Sequence, residues 1–204
     1  MQPSPAAPDG FIQALIDALG PASVCAGETI EARHQSDWSG APAVRPLALL
    51  RPTDTQGVAA ALRLCHTHRV PVVPQGGLTG LAGGAMPQAD AVALSLERMN
   101  TLEAADPAAA TLTLQAGVTL QAAQEAAAAA GFQLGVDLGA RGSCQIGGNL
   151  ATNAGGNGVL QFGMMREQVL GLEVVLADGT VLDMMRPMIK NNTGYDLKHW
   201  FVGS

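Results

Sequence analysis

The sequence predicts an α+β fold made of two subdomains. Short apolar runs alternate with amphipathic stretches in the first half of the chain, a pattern typical of strands joined by helical crossovers in a parallel sheet. In the second half, two apolar runs flank Asp178-Gly179, a two-residue turn that indicates an antiparallel hairpin. The predicted organisation is an N-terminal arm and helix over 1–46, a first subdomain over 47–110 and a second over 111–204.

The first predicted elements follow from hydrophobic spacing. Apolar residues at helical intervals predict a helix over 11–19, with Asp9 as its N-cap and Gly20 as its end. The segment 21–45 carries no motif stronger than chance. A second helix is predicted after the apolar run 47–50 and before Arg69, because Thr53 and Gln56 have the form of a capping box. Two more buried strands follow, over 70–73 and 91–96.

The second half is predicted to contain one long helix and the hairpin. The apolar run 111–118 leads into an alanine-rich helix over 120–130, for which Thr119 is the expected cap and Gly131 the terminator. The two strands of the hairpin are predicted over 170–177 and 180–182.

The composition excludes several classes of protein. Hydrophobic residues make up 48% of the 204 residues and charged residues only 14%, so neither a disordered chain nor a coiled coil is expected. The net charge of −6 and the aromatic content of 3% offer little to a phosphate backbone or to stacked bases, and we expect no nucleic-acid partner. No apolar run reaches the length of a membrane span, so none is predicted.

The cysteines and the N-terminal sequence predict the cellular compartment of the protein. Cys25, Cys65 and Cys144 are far apart and form no CxxC pair, so the sequence predicts neither a disulfide framework nor a metal site. The N-terminal stretch before Gly10 contains three prolines and no basic cluster, unlike a secretory signal. These observations predict a reduced, cytoplasmic protein.

Glycine is concentrated in two loops. The first, 74–84, follows a predicted strand, and the second spans 139–156. Neither 70–97 nor 142–165 contains a Lys or Arg, so an anion bound there would be held by backbone amides and by hydroxyl or amide side chains. The absence of G-x-G-x-x-G and of a P-loop lysine disfavours a Rossmann fold and a P-loop NTPase. The alternative is that both loops are tight turns in a packed domain.

Four stretches together resemble a known family. They are PQGGLTGLAGGA at 74–85, DLGARGSCQIGGNLATNAGG at 137–156, LGLEVVLADGTVL from Leu170, and NNTGYDLKHWFVGS at the end. In order and spacing they resemble the FAD-binding domain of the vanillyl-alcohol-oxidase (PCMH-type) flavoproteins over about residues 47–204. Within that superfamily the sequence looks most similar to the D-2-hydroxyglutarate and D-lactate dehydrogenases and to the glycolate oxidase flavoprotein subunit.

The resemblance implies that FAD lies extended between two α+β subdomains. The residues that match the family's first pyrophosphate loop are Pro74, Gln75, Gly76, Gly77, Thr79, Gly80 and Leu81. Those that match the second loop are Gly139, Gly142, Ser143, Gly147, Gly148, Asn149, Thr152, Asn153 and Ala154. Some members tether the flavin through a histidine at the position of Leu78, so the resemblance implies non-covalent FAD. No catalytic residue and no metal ligand are assigned.

The implied activity is oxidation of a small D-2-hydroxyacid by hydride transfer to FAD, with reoxidation by a quinone or an electron-transfer flavoprotein. In this family a cap domain supplies the substrate-binding groups and the general base, and the sequence stops within the F-V-G-S stretch before that domain. We therefore expect a C-terminally truncated fold that is inactive alone. Two alternatives stay open: a non-catalytic or split FAD-binding fragment that requires a partner chain, and a UDP-N-acetylmuramate dehydrogenase-like reductase.

Three other residues near the loops have simpler interpretations. Cys144 is predicted to be a small packing residue, because no second cysteine and no cationic run lies near it in the sequence. Arg141 and Lys190 are the cations at the edges of the loops, and they are candidates for contact with a phosphate.

Overall fold

The computed structural model describes residues 7–204, and the chain divides into two compact units. The first unit comprises the chain up to Arg98 together with Val175–Val181, and the second comprises Met99–Val174 together with Leu182–Ser204. Within the described range, no helix is long and apolar enough to cross a membrane.

Helices and strands are interspersed along the chain. The strands are β1 (Val24–Ala26), β2 (Ala48–Leu50), β3 (Val72–Gln75), β4 (Val92–Ser95), β5 (Leu102–Asp106), β6 (Thr111–Leu114), β7 (Leu172–Val175) and β8 (Val181–Met184). The α-helices are α1 (Phe11–Leu19), α2 (Thr55–His68), α3 (Leu120–Ala129), α4 (Ile146–Ala151) and α5 (Val159–Phe162).

The first unit is built on a four-stranded sheet in the order β1-β2-β4-β3. Strands β2, β4 and β3 are parallel neighbours, and β1 runs antiparallel to β2. Every residue of β2 and of β4 is buried, as expected of central parallel strands that are covered on both faces. The crossover predicted for this part of the sequence is confirmed, since β2 and β3 are parallel and α2 connects them.

The two long helices of the first unit begin differently from the prediction. Helix α1 has Gly10 as its N-cap, with φ of 71° and no side-chain hydrogen bond, so the expected cap by Asp9 is wrong. Helix α2 is capped by Asp54, whose Oδ1 accepts a 2.7 Å hydrogen bond from the Gly57 amide. The predicted capping box at Thr53 lies one residue too early. Asp54 has the extended backbone of a cap (φ −154°, ψ 171°), and a carboxylate is a stronger capping group than a threonine hydroxyl.

The tip of the β7–β8 hairpin belongs to the first unit. Gly179 has φ of +83°, and a Cβ there would lie 2.6 Å from the carbonyl oxygen of Ala59 in α2. The Arg63 guanidinium donates a 3.5 Å hydrogen bond to the Gly179 oxygen. The Thr180 backbone amide donates a 2.8 Å hydrogen bond to Asp178 Oδ1. This bond is the largest cause of the lowered pKa of the Asp178 carboxyl, and a hydrogen bond from the Thr180 side chain also lowers it. The predicted hairpin is present, but its loop has three residues rather than two, because the Leu176 amide donates to the Thr180 oxygen at 2.8 Å and the Gly179 amide donates to the Leu176 oxygen at 2.9 Å. Gly179 is required by both its conformation and its closeness to α2.

The second unit contains the β5–β6 hairpin, α3 and the segment from α4 to the C-terminus, except for Val175–Val181. Helix α3 is capped as predicted, because the Ala122 amide donates to Thr119 Oγ1 at 3.3 Å. Strand β5 was not expected from the sequence, since all five of its residues are exposed. The core of this unit is an apolar cluster of Val118, Leu120, Ala123, Val136, Cys144, Ile146 and Met165.

Candidate functional site

The first glycine loop begins where β3 ends, at the carboxyl edge of a parallel sheet, where ligands of α/β proteins usually bind. Gly76, Gly77 and Thr79 are half-buried, whereas Gly80 and Leu81 are exposed. A Cβ added to Gly80 would meet no atom within 4 Å. The backbone of this loop is therefore open to a ligand on that side.

Leu78 lies within this loop in a left-handed conformation, with φ of 60°. A branched apolar residue rarely adopts positive φ, and such residues are concentrated at functional sites. The left-handed conformation of Leu78 changes the direction of the backbone between Gly77 and Thr79. Its aliphatic side chain offers no atom that could bond covalently to a ligand.

The second glycine loop contains a helix that the sequence did not predict, α4. Its start is anchored by two backbone hydrogen bonds, from Ile146 to the Val118 oxygen at 2.9 Å and from Gly147 to the Ala116 oxygen at 2.8 Å. Glycine is a poor helix former, so the helix depends on these tertiary contacts. The glycines of the loop are consequently held in a fixed arrangement.

Two adjacent glycines of α4 have different surroundings. A Cβ on Gly147 would lie 2.9 Å from the Ala116 side chain, whereas a Cβ on Gly148 would meet no atom within 4 Å. Gly147 is therefore needed for packing inside the protein. Gly148 leaves an open surface above the helix, which is the arrangement that close approach of a ligand requires.

The polar side chains of the second loop divide into occupied and available groups. The Thr152 hydroxyl donates to the Gly148 oxygen at 3.0 Å, and Asn153 Oδ1 accepts from the Arg166 amide at 2.9 Å. Asn149 is only 4% exposed, yet its Nδ2 has no hydrogen-bond acceptor among residues 7–204. Over the same residues, the Ser143 hydroxyl forms no hydrogen bond. Asn149 and Ser143 thus retain donors for a ligand.

Arg166 holds the C-terminal turn against the second loop, and no sequence motif marked it. Its Nη1 donates to the His199 oxygen at 2.6 Å, and its Nη2 donates to the Val202 oxygen. Its backbone amide binds Asn153, as described above. These contacts fix the far end of the loop through hydrogen bonds from a charged group, which are stronger than neutral ones.

The two cations predicted near the loops lie in different situations. Arg141 is paired with Asp137 at 3.2 Å, and both side chains are substantially exposed. Lys190 lies on the exposed segment after β8. An anion in the second loop would therefore depend on backbone amides and uncharged donors, except where it displaced Asp137 from Arg141.

Cys144 is part of the core of the second unit, at 5% exposure, so the structure agrees with its predicted packing role. Burial raises the pKa of its thiol, which lowers the thiolate fraction below that of a free cysteine at any pH near 8. We expect 5,5′-dithiobis(2-nitrobenzoate) at pH 8 to modify Cys25 first, and Cys144 only after urea unfolding. Cys65, whose pKa burial raises to about 11, is an internal control. Rapid modification of Cys144 in the folded chain would contradict its packing role.

Comparison with known families identifies this architecture. A profile of the FAD binding domain family matches residues 46–185, which include both glycine loops. The chain belongs to the FAD binding domain family. Structures of alkyldihydroxyacetonephosphate synthase share its fold, with a TM-score of 0.83 and 21% identity over 100% of this chain and 39% of theirs. A variant of the glucose dehydrogenase Phl p 4 has a TM-score of 0.77 and 20% identity over 96% of this chain and 40% of its own. The predicted α+β class and PCMH-type fold are confirmed.

Relatives of this FAD-binding domain are named as dehydrogenases. A rice protein (Oryza sativa subsp. indica), "Probable D-2-hydroxyglutarate dehydrogenase, mitochondrial", is 46% identical over 91% of this chain and 33% of its own length. "D-2-hydroxyglutarate dehydrogenase, mitochondrial" of Bos taurus is 49% identical over 82% of this chain and 31% of its own. "D-2-hydroxyglutarate dehydrogenase" of Xanthomonas citri pv. viticola is 42% identical over 82% and 36%. The FAD-binding domain spans about a third of the length of these relatives.

The comparison overturns the predicted cytoplasmic location. The rice and cattle relatives are both named as mitochondrial. Unpaired cysteines and the lack of a secretory signal, on which the prediction rested, are also expected of proteins in the reducing interior of an organelle. These features therefore distinguish exported from internal proteins and do not distinguish one internal compartment from another.

The residues of the FAD-binding domain fit its cofactor. FAD carries a diphosphate, and anions are bound by freed backbone amides and short polar side chains. The domain offers the open backbone at Gly80 and Gly148 and the buried, unpartnered Asn149 Nδ2. The first glycine loop belongs to the first unit and the second glycine loop to the second unit.

Proposed function

We propose that this chain is the FAD-binding part of a dehydrogenase that oxidises a D-2-hydroxyacid of the D-2-hydroxyglutarate or D-lactate type. The main support is the match of residues 46–185 to the FAD binding domain family, together with 42–49% identity to proteins named D-2-hydroxyglutarate dehydrogenase. When bound, FAD accepts a hydride from the alcohol carbon. The electron acceptor that we propose is a quinone or an electron-transfer flavoprotein.

In this proposal the two glycine loops hold the diphosphate without charged side chains. From the first loop, we assign the backbone of 76–81 and the Thr79 hydroxyl. From the second, we assign the amides around Gly148, the Ser143 hydroxyl and the Asn149 amide. Neutral donors that are already fixed lose little entropy when the ligand binds.

Some predicted residues have supporting roles in this proposal. Gln75 is 1% exposed, and Thr152 and Asn153 are hydrogen-bonded within the protein. We assign them to the shape of the loops. Leu78 cannot tether the flavin, and the proposed cofactor is therefore non-covalent. The limits 47–110 and 111–204 of the two subdomains that share the cofactor stay a prediction.

A flavin spectrum tests the proposal. We expect the purified 204-residue chain, incubated with FAD and desalted, to retain the visible absorption bands of flavin. Because the family resemblance assigns the substrate-binding groups to a cap domain, the substrate is tested on a protein that joins this chain to the other two thirds, roughly, of a relative's length. Anaerobic addition of D-2-hydroxyglutarate or D-lactate to that joined protein should bleach its flavin bands faster than addition of the L-enantiomers. A colourless folded chain would contradict the assigned loops. Retained flavin that neither enantiomer reduces in the joined protein would contradict the hydroxyacid assignment and favour a non-catalytic FAD-binding fragment.

A further inference from the structure

His34 is a fully buried polar side chain in the first unit, at 0% exposure, in the segment where the sequence shows no motif. It lies in a short 3-10 turn, Ala32–Gln35. Its Nδ1 is 2.8 Å from Oε1 of Gln75, the last residue of β3 and the residue immediately before Gly76. The ring therefore contacts the base of the first glycine loop.

The surroundings of Gln75 fix the orientation of its amide. Its Nε2 lies 3.0 Å from the His34 carbonyl oxygen and 3.1 Å from the Ala85 carbonyl oxygen. Both carbonyls can only accept, so this atom must be the NH₂ group, and the atom that faces His34 must be the amide oxygen. Because that oxygen accepts, His34 must carry a proton on Nδ1 in either protonation state of the ring.

The opposite side of the ring faces an ionic cluster. His34 Nε2 has no hydrogen bond to any residue of the described range, and the nearest carboxylate oxygen is Glu97 Oε1 at 3.7 Å. Glu97 is itself paired with Arg33 and, at 3.5 Å, with Arg51. The hydrogen bond that positions the ring is therefore the one through Nδ1.

The hydrogen bonds of Gln75 connect the two ends of the loop. Gln75 precedes residues 76–84, and Ala85 follows them, so the bond between Nε2 and the Ala85 oxygen closes the loop at its base. A loop rich in glycine loses much conformational entropy when it becomes ordered. A side-chain hydrogen bond that closes the base of the loop orders part of it in the free protein, and ligand binding then costs less conformational entropy.

We propose that His34 is a positioning residue for the first glycine loop. Through its Nδ1–H it holds the Gln75 amide in the orientation that ties β3 to Ala85, and it thereby orders the backbone amides of 76–84 for the FAD diphosphate. The inference rests on the proposed function of this loop as an FAD-binding element. His34 itself does not contact the cofactor.

Two substitutions separate the ring nitrogens of His34. Asn places its amide nitrogen the same number of bonds from Cα as Nδ1, and Gln places its own where Nε2 lies. We expect His34→Asn to keep the FAD dissociation constant within about threefold of the unsubstituted chain, and His34→Gln to raise it by about tenfold or more, as loss of one buried hydrogen bond predicts. The measurement is quenching of flavin fluorescence on titration with the 204-residue chain, with circular dichroism to verify folding. Equal constants for the two variants would overturn the proposal.

Two NMR measurements without FAD distinguish this inference from the proposed function. Long-range ¹H–¹⁵N correlations should show the proton on Nδ1 of His34, and the backbone order parameters of 76–84 should fall in His34→Gln but not in His34→Asn. A proton on Nε2 alone, or equally rigid loops in both variants, would overturn the positioning role. If the chain binds no FAD while these NMR results hold, the proposed function fails and the role of His34 in ordering the loop stands. If His34→Gln does not fold, Gln75→Met removes the hydrogen bonds of Gln75 to His34 and to the Ala85 oxygen. The same fall in the order parameters of 76–84 is then expected.

Discussion

Gly156→Ala is expected to lower the free energy of unfolding by about 3 kcal/mol or more, the largest stability effect of any glycine substitution in the second loop. A Cβ at this position would lie 1.8 Å from the Asp137 carbonyl oxygen, and the backbone has φ of +81°. Asp137 and Gly156 form a parallel bridge, and Asn157 donates to the same oxygen at 2.9 Å. The closest clash is with a backbone oxygen, so movement of the Leu138 side chain, whose Cδ2 would lie 2.9 Å from the Cβ, cannot relieve it.

Gly148→Ala is the matched control for this experiment. It lies eight positions earlier in the same loop by the numbering, and its Cβ would meet nothing within 4 Å. Because it is inside α4, alanine should leave stability unchanged or raise it by up to about 1 kcal/mol. Urea unfolding followed by circular dichroism compares the two variants. Equal midpoints would show that the close approach of residues 137 and 156 does not exist in solution.

Gly148→Val is expected to weaken FAD binding by about a hundredfold or more, which corresponds to about 3 kcal/mol, while the chain stays folded. The open surface over Gly148 is where the proposal places the diphosphate, and a β-branched side chain would fill it. A Cβ at Gly148 meets no protein atom within 4 Å, and valine has a higher helix propensity than glycine, so the substitution should not destabilise the fold. The measurement is the FAD dissociation constant, from quenching of flavin fluorescence.

Ala128→Val on the exposed face of α3 is the control for this second prediction. It introduces the same β-branched side chain into a helix of the same unit, and we expect it to leave the FAD dissociation constant unchanged. Undiminished FAD binding by Gly148→Val would remove the second loop from the site. A loss of similar size in both variants would indicate a general effect of valine on the unit.

Elements with a regular apolar pattern were predictable from the sequence. The buried strands β2 and β4 and the alanine-rich α3 appear close to the expected positions, because hydrophobic period and capping residues are local properties. Strand β5 carries no such pattern, since its residues are all exposed. Helix α4 was hidden by its glycines, because its stability comes from the carbonyls of Ala116 and Val118 rather than from its own residues.

The glycine loops could be recognised from the sequence, but their supports could not. His34 and Gln75 are 41 positions apart in the sequence. Arg166 is 33 positions from His199 and 36 from Val202, whose carbonyl oxygens accept its hydrogen bonds. Such pairs leave no local spacing or composition signal. The sequence also could not distinguish Gly147 from Gly148, because the difference between packing and an open surface depends on where Ala116 lies.

The division of the hairpin between the units has a consequence for protein engineering. Residues Val175–Val181 belong to the first unit, although they lie far along the chain from the rest of it, and Gly179 contacts the backbone of α2. A gene cut after Arg98 would therefore deliver a first unit that lacks the residues covering Ala59 and Arg63. Chimeras that exchange the first unit between homologous flavoproteins should transfer the hairpin tip with α2, since the two surfaces must match each other.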